Sequence, residues 1–217
     1  MEKPIRLLLA EDHEVMREAL RSLLDAQKGF DVVGEVRDGR EALRLAASTA
    51  PDVVVMDINM PELNGIETTR QLVEAHPHLK VVGLSVHETG RMVMEMLDAG
   101  AAGYLPKTSA SKELVAAIRA VVEGKTYVSP AVLGNLMDAQ RLAQGSGSAF
   151  AKLTDREREV LQLLAEGHAT KVVAEKLGLS VPTVHTHRQH LMQKLGARGV
   201  ADLVRYAIRE GITTPES

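Results

Sequence analysis

Residues 53–65 read VVVMDINMPELNG, an apolar, mostly β-branched run that ends on a carboxylate and then breaks into a turn. Bounded by Pro51 and Pro61, Val53, Val54, Val55 and Met56 have no polar alternation. Such a run is a strand covered on both faces, and strands of that kind belong to parallel sheets sandwiched between helices. Asp57 therefore emerges at the carboxyl edge of a buried strand, which is where open α/β sheets bind ligands.

The first 130 residues repeat this pattern. Strands are expected at 5–10, 32–36, 53–57, 81–85 and 103–106, each followed by an amphipathic segment of helical length. Five β/α units imply a doubly wound, five-stranded parallel sheet with right-handed crossovers and helices on both faces. Pro106 ends the last of these strands, which suits an edge position because proline has no N–H to donate. In RMVMEM, residues 91–96, Met92 and Met96 stand four apart; such adaptable side chains suit a surface that repacks, and equally a core.

From Asp138 the pattern gives way to DAQRLAQGSGSAFAK, and Gly145 to Ser148 have flexible linker chemistry. The expected division is residues 1–130, a linker over 131–150, and a second domain over 151–217. In that second domain Thr154 and Glu157 form a capping box ahead of a helix that Gly167 stops. A short helix runs from about Lys171 to Gly178. A third, capped by Ser180 with Pro182 in its first turn, runs to Gly196, and a fourth carries Val200, Leu203, Val204, Ala207 and Ile208 on one stripe. Four short helices around a tight glycine turn make an all-α helix-turn-helix domain.

Charge separates the two parts. Residues 1–130 carry 15 Lys+Arg against 20 Asp+Glu, and residues 131–217 carry 11 against 9, so the second part is the basic one. Within it, residues 170–198 hold Lys171, Lys176, Arg188, Lys194 and Arg198 against Glu175 alone, a local excess suited to a polyanion. With no cysteine there is no disulfide framework or thiolate metal site. Residues 5–10 are too short and too closely flanked by charge for a signal segment, and no stretch approaches a membrane span, so a cytoplasmic protein without membrane partners is expected.

On the third helix of the second domain, Val184, His187, Leu191 and Leu195 share one face, and His185, Thr186, Gln189, His190 and Gln193 share the opposite one. The polar face is expected in the major groove of double-stranded promoter DNA. Base contacts fall to His185, Thr186 and Gln189 near its N-terminus, beside Thr183. Lys171, Arg188 and Lys194 flank that face as phosphate contacts. The histidines do not read as a zinc site, because residues two apart on a helix point roughly 160° away from one another. RNA is a poor ligand for a chain that is 2% aromatic and has no tryptophan. The last helix's apolar stripe serves either a two-fold dimer contact on DNA or its own domain's core.

Glu11-Asp12 after the first strand, Asp57 in DINMPELNG, Ser85 and GYLPK through Lys107 resemble a response-regulator receiver, a flavodoxin-like fold. LTDREREVLQLLAEG and LSVPTVHTHRQHLMQKLG resemble a LuxR-type effector, and together they resemble the NarL/FixJ response regulators over residues 4–212. The resemblance implies a DNA-binding transcription regulator, not an enzyme, whose Asp57 takes a phosphoryl group from a sensor histidine kinase. It implies Mg2+ held by Asp12, Asp57 and the backbone carbonyl of Asn59, with Glu11 acting through water; apposed carboxylates need such a cation to coexist. Ser85 and Lys107 would bind the incoming phosphoryl group, and Tyr104 would be a switch aromatic that turns inward with the Ser85 hydroxyl. Phosphorylation would promote a homodimer or free the DNA-binding domain, with RNA polymerase as a further candidate partner.

Two departures matter. His185 stands where relatives often carry Lys, and Thr170-Lys171 where they often carry Asn-Lys, so the operator sequence is not inherited. A metabolite phosphohydrolase is the alternative enzyme reading, opposed by Asn59, where such hydrolases place a second carboxylate two residues on. Constitutive DNA binding without phosphate control is the other alternative.

Overall fold

The structure of the chain is a computed structural model that describes residues 3–86, 89–109, 111–143 (backbone only from 138), 152–210 and 212–213. The chain divides into two compact units that part between Leu142 and Ala143. The glycine-serine stretch at residues 145–148 lies outside the described residues.

In the first unit β1 (Ile5–Ala10), α1 (Glu14–Asp25), β2 (Phe30–Val36), α2 (Gly39–Thr49), β3 (Val53–Asp57), α3 (Gly65–Ala75), β4 (Lys80–Ser85), α4 (Gly90–Asp98), β5 (Gly103–Pro106) and α5 (Ser111–Val122) alternate. The pairings are all parallel, and the order is β2-β1-β3-β4-β5-β6, with β6 being Tyr127–Val128. The period of two sorts the sheet's side chains between two cores. Leu8, Ala10, Val54, Met56 and Val81 pack with α2, α3 and α4, while Leu7, Leu9, Val53, Val55, Val82 and Leu84 pack with α1 and α5.

The sheet has six strands where the sequence suggests five. Two residues are too few to show a period, so β6 has no signal of its own; it exists because Tyr127 and Ser129 donate their N–H groups to the carbonyls of Ala102 and Tyr104, both at 2.9 Å. β5 is consequently not an edge strand. Pro106 is tolerated for another reason: β6 pairs only with Gly103 and Tyr104, so nothing on that side asks Pro106 for a proton.

A further helix, α6 (Pro130–Ala143), follows β6 where the sequence suggests a linker, and its Val132 is wholly buried in the first unit's core. Met92 and Met96 are buried at 3% and 0% exposure, so their spacing serves the core and not a repacking surface.

The second unit holds α7 (Asp155–Ala165), α8 (Thr170–Leu177), α9 (Val181–Leu195) and α10 (Val200–Arg209) around Val160, Leu161, Leu164, Val173, Leu177, Val184, Leu191, Leu203 and Ala207. The capping box is present on both sides, with Thr154 Oγ1 accepting from Glu157 N and Glu157 Oε2 from Thr154 N. Gly178 takes the left-handed conformation (φ 64°) that closes α8, and Ser180 caps α9 through Thr183 N. On α10, Leu203 and Ala207 are buried in this core while Val200 and Ile208 stay exposed, so only part of the stripe serves the domain's own core.

One glycine sets how closely α3 approaches the end of β3. A Cβ at Gly65 would lie 2.1 Å from the Asp57 carbonyl oxygen and 2.9 Å from Ile58 Cα, both backbone atoms that cannot step aside singly. Gly65→Ala is expected to destabilise the first unit by at least about 1–3 kcal/mol, read as a lower midpoint in urea denaturation, whereas Gly134→Ala, with open space around it, should cost none of this strain.

Candidate metal centre and nucleic-acid interface

The strand order reverses between β1 and β3, and the crevice beyond their carboxyl ends gathers Glu11, Asp12 and Asp57. Glu11 and Asp12 follow β1 directly and Asp57 closes β3, so chain direction alone brings three carboxylates together. Lys107 follows β5, where its N–H donates to the Ser85 carbonyl at 2.7 Å. Its ammonium then reaches back across the crevice, with Nζ 2.8 Å from Asp57 Oδ2 and 2.7 Å from Glu11 Oε2. All three groups are buried, Glu11 and Asp57 at 1% exposure and Lys107 at 7%.

These ionisations are interdependent. Burial pushes the Asp57 carboxyl up, Lys107 pulls it down and Glu11 pushes it up again, leaving it at about 7. Burial disfavours the Lys107 ammonium, but Asp57 and Glu11 outweigh that and hold it above its usual range. Asn59 N donates to Asp57 Oδ1 at 3.1 Å, which pins the loop after β3 against the carboxylate.

Ser85 is fully buried at the end of β4, and Tyr104, one strand over, has its ring wholly inside the core that contains Met92 and Met96. The structure thus brings Glu11, Asp12, Asp57, Asn59 and Lys107 together and holds Ser85 beside them through its carbonyl. Tyr104 belongs to the core on one face of the sheet.

Two residues of this site escape a reading of the sequence. His13 turns its ring onto the acids, with Nδ1 2.7 Å from Asp12 Oδ1 and 3.3 Å from Glu11 Oε1. Arg17 is 7% exposed, and its Nη1 donates to the carbonyls of Glu11 at 2.9 Å and Asp12 at 3.4 Å. A signal for Arg17 does exist: it shares the buried face of α1 with Leu20 and Leu24, and a cation on an apolar stripe needs a partner.

The site fits a divalent cation. Ligand atoms of Glu11, Asp12, His13 and Asp57 all lie within 4.8 Å of one another; Asn59 Oδ1 is a buried oxygen without a hydrogen bond, and Asp12 Oδ1, also buried, faces only the His13 ring. Hard oxygen donors at such spacing are what Mg2+ takes.

In the second unit α9 exposes His185, Thr186, Gln189, His190 and Gln193 and buries Val184 and Leu191, with His187 and Leu195 half-buried between. The Thr186 hydroxyl bonds back to the Pro182 carbonyl at 3.1 Å, and Thr183 is tied to the Ser180 cap. Lys171 is exposed at the start of α8, and Arg188 is half-buried, its Nε without a hydrogen-bond partner. Lys194 is already engaged: its Nζ sits 2.6 Å from Glu157 Oε2 and donates to the Lys152 carbonyl at 3.2 Å. This pair ties the end of α9 to the capping box of α7.

Residues 7–119 match the family described as "Response regulator receiver domain", and residues 151–207 match "Bacterial regulatory proteins, luxR family". The chain belongs to the response regulators. It is 35% identical over 213 residues to the response regulator UvrY of Escherichia coli (strain K12), covering 98% of both chains. It is equally identical to the response regulator GacA of Pseudomonas aeruginosa, over 98% of this chain and 100% of that one. Among solved structures it resembles the response regulator ChrA of a heme-sensing two-component system (34% identity, 97% and 100% coverage, TM-score 0.55) and an RcsB–DNA complex (25% identity, 94% and 98% coverage, TM-score 0.57). This response regulator is a two-component transcription regulator with a receiver and a LuxR-type DNA-binding domain. No helix among the described residues is long and apolar enough to cross a membrane.

The pKa of Asp57 makes a stability prediction. A carboxyl held near 7 in the fold, against an ordinary value of 3.8, binds its proton more tightly folded than unfolded, so stability falls as pH rises across that interval. Lys107 does not titrate there, because its shift acts only above its ordinary 10.5. In metal-free buffer Asp57→Asn should be more stable than wild type at pH 8, with the advantage shrinking toward pH 4. Urea denaturation at the two pH values measures this.

Proposed function

We propose that Asp57 is the phosphoacceptor of this regulator, taking a phosphoryl group from a sensor histidine kinase and thereby controlling how α9 engages promoter DNA. The observation that carries this reading is the Lys107 ammonium seated between Asp57 and Glu11, beside oxygens arranged for a divalent cation. In the transfer an Asp57 oxygen attacks phosphorus as the donor's N–P bond breaks, and the departing imidazole takes up a proton. Asp12, Asp57 and the Asn59 carbonyl, with Glu11 through water, would hold Mg2+, which when bound would supply positive charge favouring ionised Asp57 and screening phosphoryl oxygens. Lys107 gives up part of its pairing with Asp57 to meet a phosphoryl oxygen, and the Ser85 hydroxyl binds another. Tyr104 fills the space behind Ser85 as that hydroxyl moves.

On the output side His185, Thr186 and Gln189 read base edges, Thr183 approaches the backbone, and Lys171 and Arg188 bind phosphates. A phosphate contact from Lys194 would come at the expense of its ion pair with Glu157. The division of labour follows 1–130 for reception and 151–217 for DNA binding, with α6 belonging to the receiving unit and the connection confined to the residues after it. The active form is a homodimer on paired half-sites, in the cytoplasm, with RNA polymerase as a downstream partner; the exposed Val200 and Ile208 of α10 suit the dimer contact.

The test compares promoter affinity of the full chain before and after treatment with a small phosphodonor and Mg2+. Affinity should change in wild type and stay constant in Asp57→Asn; unchanged wild-type affinity would mean constitutive binding. The contact assignments predict distinct signatures. Lys171→Ala and Arg188→Ala each reduce the salt dependence of binding by about one ion, with little change in preference, whereas Gln189→Ala relaxes preference at one base pair by about 1–3 kcal/mol.

A further inference from the structure

His13 stands at the N-cap of α1, yet its side chain makes no capping bond. The ring instead turns back onto the preceding acids, with Nδ1 2.7 Å from Asp12 Oδ1 and 3.3 Å from Glu11 Oε1. The backbone holds it there from both sides: His13 N donates to Glu11 Oε1 at 3.2 Å, and Arg17 N donates to the His13 carbonyl at 2.9 Å. Arg17 Nη1 fixes the carbonyls of Glu11 and Asp12 as well, so the segment that carries all three donors is braced by a buried guanidinium. The imidazole is 71% exposed, which leaves a route for an ion to enter on its side of the cluster. Asp12 Oδ1, the oxygen it faces, is buried and otherwise without a hydrogen bond.

We propose that His13 is a further ligand of the receiver's metal site, adding one nitrogen donor to its oxygens and giving it a preference for a transition-metal dication over Mg2+. This rests on the reading of the acid cluster as a divalent-cation site. A ring nitrogen of His13 lies with carboxylate oxygens of Glu11, Asp12 and Asp57 inside the 4.8 Å spread that a single ion can bridge. Mg2+ takes oxygen donors and keeps its waters, so an imidazole at the rim adds little to its binding. Mn2+, Co2+ and Ni2+ bind imidazole with increasing strength, so the same ring discriminates in their favour. Coordination uses the Nδ1 lone pair; a neutral ring moves its proton to Nε2, and no redox step is involved.

The experiment uses the full chain, with MgCl2 and CoCl2 as probes, and compares wild type, His13→Ala and Asp12→Asn by calorimetric titration. His13→Ala is expected to lower Co2+ affinity on the order of tenfold or more, while Mg2+ affinity changes by less than about twofold. In wild type, Co2+ should also shift the His13 ring proton resonances strongly, a readout that needs no variant. An unchanged ratio of Co2+ to Mg2+ affinity in His13→Ala, or unshifted His13 resonances, overturns the proposal. A wild type that binds neither ion, or an Asp12→Asn variant that binds both as tightly, overturns the cation-site reading beneath it.

Discussion

The receiver is organised around one buried ammonium. Lys107 Nζ lies within 2.9 Å of carboxylate oxygens from both Glu11 and Asp57, and so joins the ends of β1, β3 and β5 across the crevice where the strand order reverses. Without a cation there, two carboxylates at 1% exposure would face each other in a medium that solvates neither. With it, burial still leaves the Asp57 carboxyl raised to about 7. A further positive charge in the crevice would favour the ionised carboxylate. The fold's part is to hold these groups where their charges compete.

The DNA-binding unit follows a related logic with exposed groups. Its helices are set by end interactions, the Thr154–Glu157 capping box, the Gly178 turn and the Ser180 cap, and the Lys194–Glu157 ion pair links the first of these to the end of α9. Packing of Val184 and Leu191 then leaves an outward face with no permanently charged side chain: His185, Thr186, Gln189, His190 and Gln193. Lys171 and Arg188 lie on the flanks of this neutral face.

Much of this was legible in the sequence because it rests on local pattern. Short, largely apolar runs announce β1, β3, β4 and β5 within a residue of their ends, and the capping signals announce α7 and α9. The carboxylate–lysine centre was legible through strand ends and motif spacing. What escaped depends on long-range geometry. β6 is two residues long and exists only because Ala102 and Tyr104 offer it carbonyls, and α6 begins in a stretch whose downstream glycine-serine run suggested a linker. His13 and Arg17 escaped because their roles arise from side chains folding back on the loop before them, a direction that sequence spacing does not encode. Lys194 read as a phosphate contact from charge alone, while the structure shows its ammonium engaged by Glu157.

Control by phosphate requires that Asp57 accept it through this cluster. The most direct measurement is incubation of the purified chain with acetyl phosphate, followed by borohydride reduction and peptide mass spectrometry to locate the acyl phosphate. Modification at Asp57 alone, dependent on a divalent cation and abolished by a chelator, is the predicted result. Modification at another carboxylate, or at Asp57 regardless of chelator, would contradict it.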